Sequence, residues 1–403
     1  MRRFAARYRD FFRLPDVTTL VAVSVLARMP IGMVGLSMLM CLRESMGSFA
    51  LAGSISGVYF VAMAVGAPIQ GRLIDRRGPR AVLAVTGIVS PLSHLGILVA
   101  ARHDAGFTAI ALAAAMAGLF ATPMTVLTRT LWRMRFTRDD DRRRAFSIDA
   151  VMIEINFTLG PAIVAGVIAI ANATAAFALS IGVIVASFLV FVLSPALKYF
   201  KPEPPVERHL LGPLTDPHLL LVFGASFGLT MSFGQLEVGY PAYATFLGLP
   251  ALGGILLATN SFGSALGGTL FGGLNLRAPL ERQFATTLAI MSVPLALHAF
   301  VDGPLAFGIA AFIAGAAIAP SIACQSVLVS RLAPARYATE AFTWSSTFIV
   351  SGLGAGMAVG GWLSETHGPK APFVAGAVLV AAMALLARQL PVRRVAQGEP
   401  APH

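Results

Sequence analysis

The sequence predicts an all-α integral membrane protein of about twelve transmembrane helices, arranged as two parallel six-helix repeats around a central cavity. Three observations predict it: composition, the sorting of basic residues, and internal repetition. Hydrophobic residues make up 56% of the 403 and charged residues 12%, with a mean hydropathy of +0.76. Apolar runs of about twenty residues recur from end to end, each long enough to cross hydrocarbon. A soluble chain of this length could not cover so much apolar surface with so few charges.

The first span, 17–42, follows Arg2, Arg3, Arg7, Arg9 and Arg13. It is too long for a signal-peptide core and no small-residue cleavage site follows it, so it is expected to be retained. The second, 49–70, ends at the basic stretch Gly71–Arg80, which cannot enter hydrocarbon and turns the chain into the third, 81–101. The fourth, 107–128, runs out at Arg129, Arg133 and Arg135, and Arg142, Arg143 and Arg144 precede the fifth, 146–171. The sixth, 173–196, leads into 197–216, where Lys198, Lys201, Pro202, Pro204 and Pro205 favour an extended tether. The expected layout is therefore a first half at 1–196, a cytoplasmic linker at 197–216, and a second half at 217–403. The second half holds spans at 217–247, 251–274, 283–301, 304–330, 340–363 and 369–390, with a basic tail.

With both termini cytoplasmic, all but four of the 30 Lys and Arg residues fall on the inner side. Arg43, Arg102 and Lys370 lie outside, and Arg28 lies within a span. This is the positive-inside pattern, and an odd number of spans would scramble it. The expected location is the cell (cytoplasmic) membrane. In a soluble chain a net charge of +11 and a pI near 10.6 would point to nucleic acid. Here the excess sits in short loops facing anionic lipid headgroups, and no nucleic-acid motif accompanies it. Membrane lipid is the expected contact, no nucleic-acid partner is expected, and the chain is expected to act as a monomer. Cys41 and Cys324 lie in different spans without metal-ligand spacing, which points to packing.

Repetition supplies the third observation. Leu51-Ala52-Gly53, Gly66-Ala67 and Gly71-Arg72-Leu73 recur as Leu252-Gly253-Gly254, Gly267-Gly268 and Gly272-Gly273-Leu274. Ala117-Gly118 with Pro123 recurs as Ala314-Gly315 with Pro320, and Ala145-Phe146-Ser147 with Gly160 as Ala341-Phe342-Thr343 with Gly356. Corresponding spans keep one orientation, so the repeats are parallel about an axis normal to the membrane.

Polar groups at membrane depth carry the chemistry. A lone cation in the first span costs about 3 kcal/mol or more unless it finds water, a carboxylate or carbonyls. Arg28 is therefore expected to face the cavity, either as an anion-binding group or as partner of a titrating acid, with a structural ion pair as the alternative. Gly32 and Gly35 follow on roughly its side and permit close approach. Glu154 and Asn156 lie just before Gly160-Pro161 in the fifth span, and Glu154 is the leading proton-coupling candidate, alternatively a buried acid permanently paired with Arg28 or hydrogen-bonded to Thr158. Asp149, near a helix N-terminus that welcomes an anion, is the weaker candidate. Gln235, Glu237, Tyr240 and Tyr243 form a polar outer third of the seventh span, where Glu237 lines the mouth or reaches the interface beside belt tyrosines. His94 and His298 read as packing histidines, and Asn260, Gln325 and Trp344 as cavity-lining groups of low specificity.

The order Gly71, Leu73, Asp75, Arg76, Gly78, Arg80 resembles the loop between helices two and three of the major facilitator superfamily (MFS). With the span count and the two-half repeat, the resemblance covers nearly the whole chain. It implies that family's fold and alternating access, with Asp75 locking the cytoplasmic gate against the segment from Glu340 and the Arg142–Arg144 cluster. Leu276 stands where the second half would need the aspartate, so one charged lock is expected. Gly160-Pro161 with Gly166 is similar to part of the exporters' fifth-helix motif. The basic residue that proton-coupled drug antiporters carry in helix four is missing from the apolar run 112–122.

The leading reading is a secondary active transporter that exports a small organic compound, driven by the proton gradient and using no cofactor or metal. The alternatives are uptake or uniport of an organic anion bound by Arg28, and a non-transporting membrane receptor. An enzyme is not expected, because His94, His103, His209, His218, His298, His367 and His403 are scattered rather than paired at one-turn spacing.

Overall fold

The computed structural model describes residues 11–136, 138–200, 212–274, 276–333 and 338–391. Fourteen α-helices lie within them. The first set comprises α1 (Val17–Met46), α2 (Phe49–Arg77), α3 (Pro79–Arg102), α4 (Gly106–Leu119), α5 (Met124–Arg135), α6 (Asp139–Ile170) and α7 (Ala173–Leu193). The second comprises α8 (Pro217–Phe246), α9 (Pro250–Gly272), α10 (Leu280–Leu297), α11 (Pro304–Gly315), α12 (Ile318–Leu332), α13 (Ala338–Thr366) and α14 (Ala371–Ala387). They make twelve crossings, because α4 with α5 and α11 with α12 are each one run interrupted midway.

Nine of these runs are long and apolar enough to cross a membrane on their own account among the described residues. The other three are α9, diluted by glycine, Ser261, Ser264 and Asn260; α10, which opens on Glu281-Arg282-Gln283; and the 17-residue α14. Their places follow from their partners, since α9 packs along α6 and α11, and α10 along α14.

The breaks correct the expectation of continuous fourth and tenth spans, and their cause is local. A proline at position i cannot donate to the carbonyl at i−4 and its ring crowds that carbonyl. Pro123 thus releases the Leu119 carbonyl and Pro320 that of Ala316, where α4 and α11 give way. Each freed carbonyl is covered by a glycine of a neighbouring helix: a methyl group at Gly66 would collide with Leu119 O, and one at Gly267 with Ala316 O. Gln70 Nε2 also donates to Leu119 O at 2.8 Å.

The turn between α2 and α3 is shorter than expected. Gly71–Arg77 continues α2 for two turns beyond the anticipated end at 70, and the chain reverses at Gly78 alone. Gly78 has φ +78°, a conformation that penalises any side chain, and its N–H caps Ile74 O at 2.8 Å; Pro79 then starts α3.

The two sets meet mainly on the side of the membrane away from the termini. Methyl groups at Gly53 and Gly361 would strike Met357 O and Phe49 O, while Gly57 stands against Gly354 O, closing α2 onto α13. Gly254 of α9 lies against the Pro161 carbonyl and Ala165 of α6. Glu365 at the end of α13 accepts hydrogen bonds from Ser48 Oγ and Ala50 N at the start of α2. One buried cluster joins Met33, Leu36, Met40 and Val164 to the second set, and another joins Val34, Leu39 and Ala52 to Val238 and Met357. By contrast, Val17, Leu20, Ile74, Trp132 and Phe191, nearer the termini, cluster only within the first set.

Of the layout expected from the sequence, the stretch 201–211 of the linker and the tail from 392 lie outside the described residues.

Candidate functional site

Arg28 is fully buried, inside the first set of helices. Its Nη2 donates to Asp149 Oδ1 at 2.6 Å and its Nε to Ser24 O at 3.1 Å, while Nη1 has no partner among the described residues. Asp149, 2% exposed, also accepts from Trp132 Nε1 at 3.2 Å and meets Arg129 Nε at 3.5 Å. The carboxylate that neutralises Arg28 is therefore Asp149, not Glu154, and the guanidinium does not stand open to a cavity. Helical phase is the reason: Asp149 and Glu154 are five residues apart, about 140° around α6. Trp132 and Arg129 were missed, since nothing in a lone sequence sets the azimuth of α5.

Glu154 occupies the opposite face. It is half-buried, eleven residues before Ala165, which places the two on one stripe of α6, three turns apart. Ala165 meets Gly254 of the second set, so the Glu154 stripe is the one turned toward the other half. Glu154 has no hydrogen bond or ion pair with a described residue. Asn156 instead faces inward: its Nδ2 donates to Met152 O at 3.0 Å, its Oδ1 is unpartnered among the described residues, and its carbonyl abuts Gly32. Gly160 packs on the backbone of Gly32, and the neighbouring Pro161 carbonyl faces Gly254, so the fifth-helix pair sits where α1, α6 and α9 converge. The close approach that Gly32 permits is by a helix.

In α8, Glu237 is half-buried and, like Glu154, has no partner among the described residues. It shares a strip with Phe233, one turn away, beside the line Thr230–Gly234 that packs on Gly352 and Gly356 of α13. Tyr240 and Tyr243 are not belt residues. Both are buried: Tyr240 packs on His298, Phe307 and Phe373, while Tyr243 stacks on Phe307 at 3.7 Å and accepts from Gly303 N at 3.0 Å. His298 stacks on Phe373 at 4.5 Å with Nδ1 at Pro294 O, 2.8 Å. His94 does the same in the first set, with Nδ1 at Ser90 O, 2.7 Å, against Tyr59 and Phe177. Asn260 and Gln325 are held internally, by Ala311 O at 2.9 Å and Ser345 Oγ at 2.6 Å; Trp344 is half-buried beside Phe348.

At the termini side, the motif runs through the end of α2 and the start of α3. Gly71 has open space where a side chain would be, and Arg76 and Arg80 are exposed. The side chains of Asp75, Arg142 and Arg143 lie outside the described residues, and with them the expected lock; Arg144 donates to Asp141 at 3.1 Å. Beyond α7, Tyr199 Oη donates to Asp16 at 2.8 Å, and burial followed by that bond pushes its phenol up.

Close glycine contacts of the first set recur in the second. Gly32 against Gly160 is matched by Gly234 against Gly356, and Gly118 on Tyr59 O by Gly315 on Asn260 O. Known structures share this architecture. The nucleoside transporter NupG, solved as a single-residue mutant, superposes with a TM-score of 0.74 at 13% identity, covering 93% of this chain and 99% of that one. A POT family transporter in complex with 5-aminolevulinic acid gives 0.70 at 11% identity, covering 91% and 94%. A mutant peptide transporter POT in complex with sulfate gives 0.68 at 16%, covering 93% and 94%. No curated relative matches the sequence. The profile of the Major Facilitator Superfamily matches residues 20–352, most of the chain and parts of both repeats. This chain therefore belongs to the Major Facilitator Superfamily, a family of membrane transporters.

Proposed function

We propose that the protein exports a small organic compound across the cytoplasmic membrane by alternating access, driven by an inward flow of protons. The observation that carries this reading is Glu154: a half-buried carboxylate near the middle of its span, without a partner among the described residues, on the stripe of α6 turned toward the second set. A carboxylate in that position can hold a proton in one conformation and release it in another, because the two halves change its access to water. Glu237 offers a second such group. Export is supported by the likeness of Gly160-Pro161 to the exporters' motif and by its place at the junction of α1, α6 and α9. The excess of basic residues on the termini side supports cytoplasmic termini, and then the seam closed by Gly53, Gly57 and Glu365 faces outward. The division at 1–196 and 217–403, and an Asp75 gate lock, belong to the same reading. Recognition of an anion by Arg28 loses its footing, since Asp149 already engages the guanidinium.

The test is a flux assay in proteoliposomes with an imposed pH gradient. Substrate-dependent proton movement is expected with the wild-type protein, and Glu154→Gln is expected to reduce it at least tenfold while leaving the protein folded. Proton movement unchanged in Glu154→Gln sinks the coupling role.

A further inference from the structure

More than two turns from either end of a span, the described residues carry four charged side chains: Arg28, Asp149, Glu154 and Glu237. Arg28 and Asp149 neutralise each other at 2.6 Å in the interior of the first set. Arg129, which also reaches Asp149, is 57% exposed and lies toward the termini side. Neither histidine at this depth offers a compensating cation, because His94 and His298 are packed among aromatic rings with Nδ1 committed to a backbone carbonyl. What remains is two carboxylates without partners, one on the stripe of α6 that faces the second set and one on α8 beside Phe233.

We infer that the transported compound is an organic cation, held by Glu154 and Glu237 with its apolar body against neighbouring side chains such as Phe233. A carboxylate in a low-dielectric setting attracts a cation strongly and repels an anion by the same measure. An aromatic face one turn from Glu237 adds cation–π attraction and favours a lipophilic cation over a hydrated inorganic one. The two carboxylates then serve alternately as proton and substrate ligands: a cation and a proton compete for the same charge. This rests on the transport reading above and fixes the sign of its substrate.

The test is equilibrium binding to the full-length protein in lipid nanodiscs, using two probes of nearly identical shape and opposite charge, tetraphenylphosphonium and tetraphenylborate. Saturable binding of the phosphonium is expected, with none of the borate. The double variant Glu154→Gln/Glu237→Gln is expected to weaken phosphonium binding at least tenfold, while Glu154→Asp and Glu237→Asp each stay within about threefold. If the double variant does not fold, the single Gln variants are each expected to weaken binding severalfold. Borate binding as tight as phosphonium, saturable binding of neither probe, or phosphonium binding unaffected by the Gln substitutions overturns the proposal. Binding needs no turnover and no gradient. A cation that binds in this way while the flux assay shows no proton movement leaves the substrate class standing and removes the coupling.

Discussion

At the scale of single residues, Asp149 organises the polar interior of the first set. One carboxylate answers Arg28, Trp132 and Arg129, so removing its charge strands a buried guanidinium. Asp149→Asn is expected to cost about 3–5 kcal/mol and to lower the thermal midpoint of the purified protein sharply. Replacing both partners with apolar residues, as in Arg28→Met/Asp149→Leu, is expected to recover much of that loss, because the desolvation of two ions disappears together. A midpoint unchanged in Asp149→Asn would show the pair to be dispensable. Arg28 and Glu154 were legible in the sequence because any charge inside an apolar run is an anomaly that needs a role. Their partners were not legible. Which carboxylate meets Arg28 depends on a difference of phase around α6 and on the rotation of α1 against it, and neither has a trace in hydropathy.

At the scale of elements, helix existence was read well and helix continuity was not. Length and apolarity mark nine of the twelve spans outright among the described residues, yet the breaks at Leu119–Pro123 and Gly315–Ala317 fall inside two of those runs. Pro123 and Pro320 were visible as a repeated pair, but a proline within a membrane helix often bends it without breaking it, so the pair alone did not decide the matter. Seams between elements depend on glycine at a few sites of closest approach. Gly361→Ala forces its new methyl group onto Phe49 O, in the contact that shuts α2 against α13. The substitution is expected to leave the fold intact and to favour separation of the two helices on the side away from the termini. Spin labels at the exposed positions Leu51 and Trp362, with the native cysteines replaced, report it as a longer distance population several times larger than in the unsubstituted protein. An unchanged distance distribution would show that the seam tolerates the added methyl group.

At the scale of the whole molecule, the sidedness of the charges predicts an orientation that chemical labelling checks. A cysteine introduced at Asp104 is expected to react with an impermeant maleimide added outside intact cells, and one at Arg277 only after the membrane is opened. Background is low, since Cys41 and Cys324 are both buried. Labelling of both positions from one side would overturn the five crossings that the layout places between them. The two-fold plan was legible because its matching glycines survive in the sequence, and the contacts they make in the two sets give the reason. Gly32 with Gly160, Gly118 with Tyr59, and Gly66 with Leu119 each reappear in the second set at the same place on the same pair of helices. Elsewhere the two sets have diverged freely, with Phe271 where Gln70 stands and Leu276 where Asp75 stands. If the two halves descend from a duplicated ancestor, its copies have drifted wherever a side chain could be exchanged and stayed alike where backbone meets backbone. The surviving self-similarity is then a fossil record of steric necessity, and it marks in advance the places where protein engineering will find least latitude.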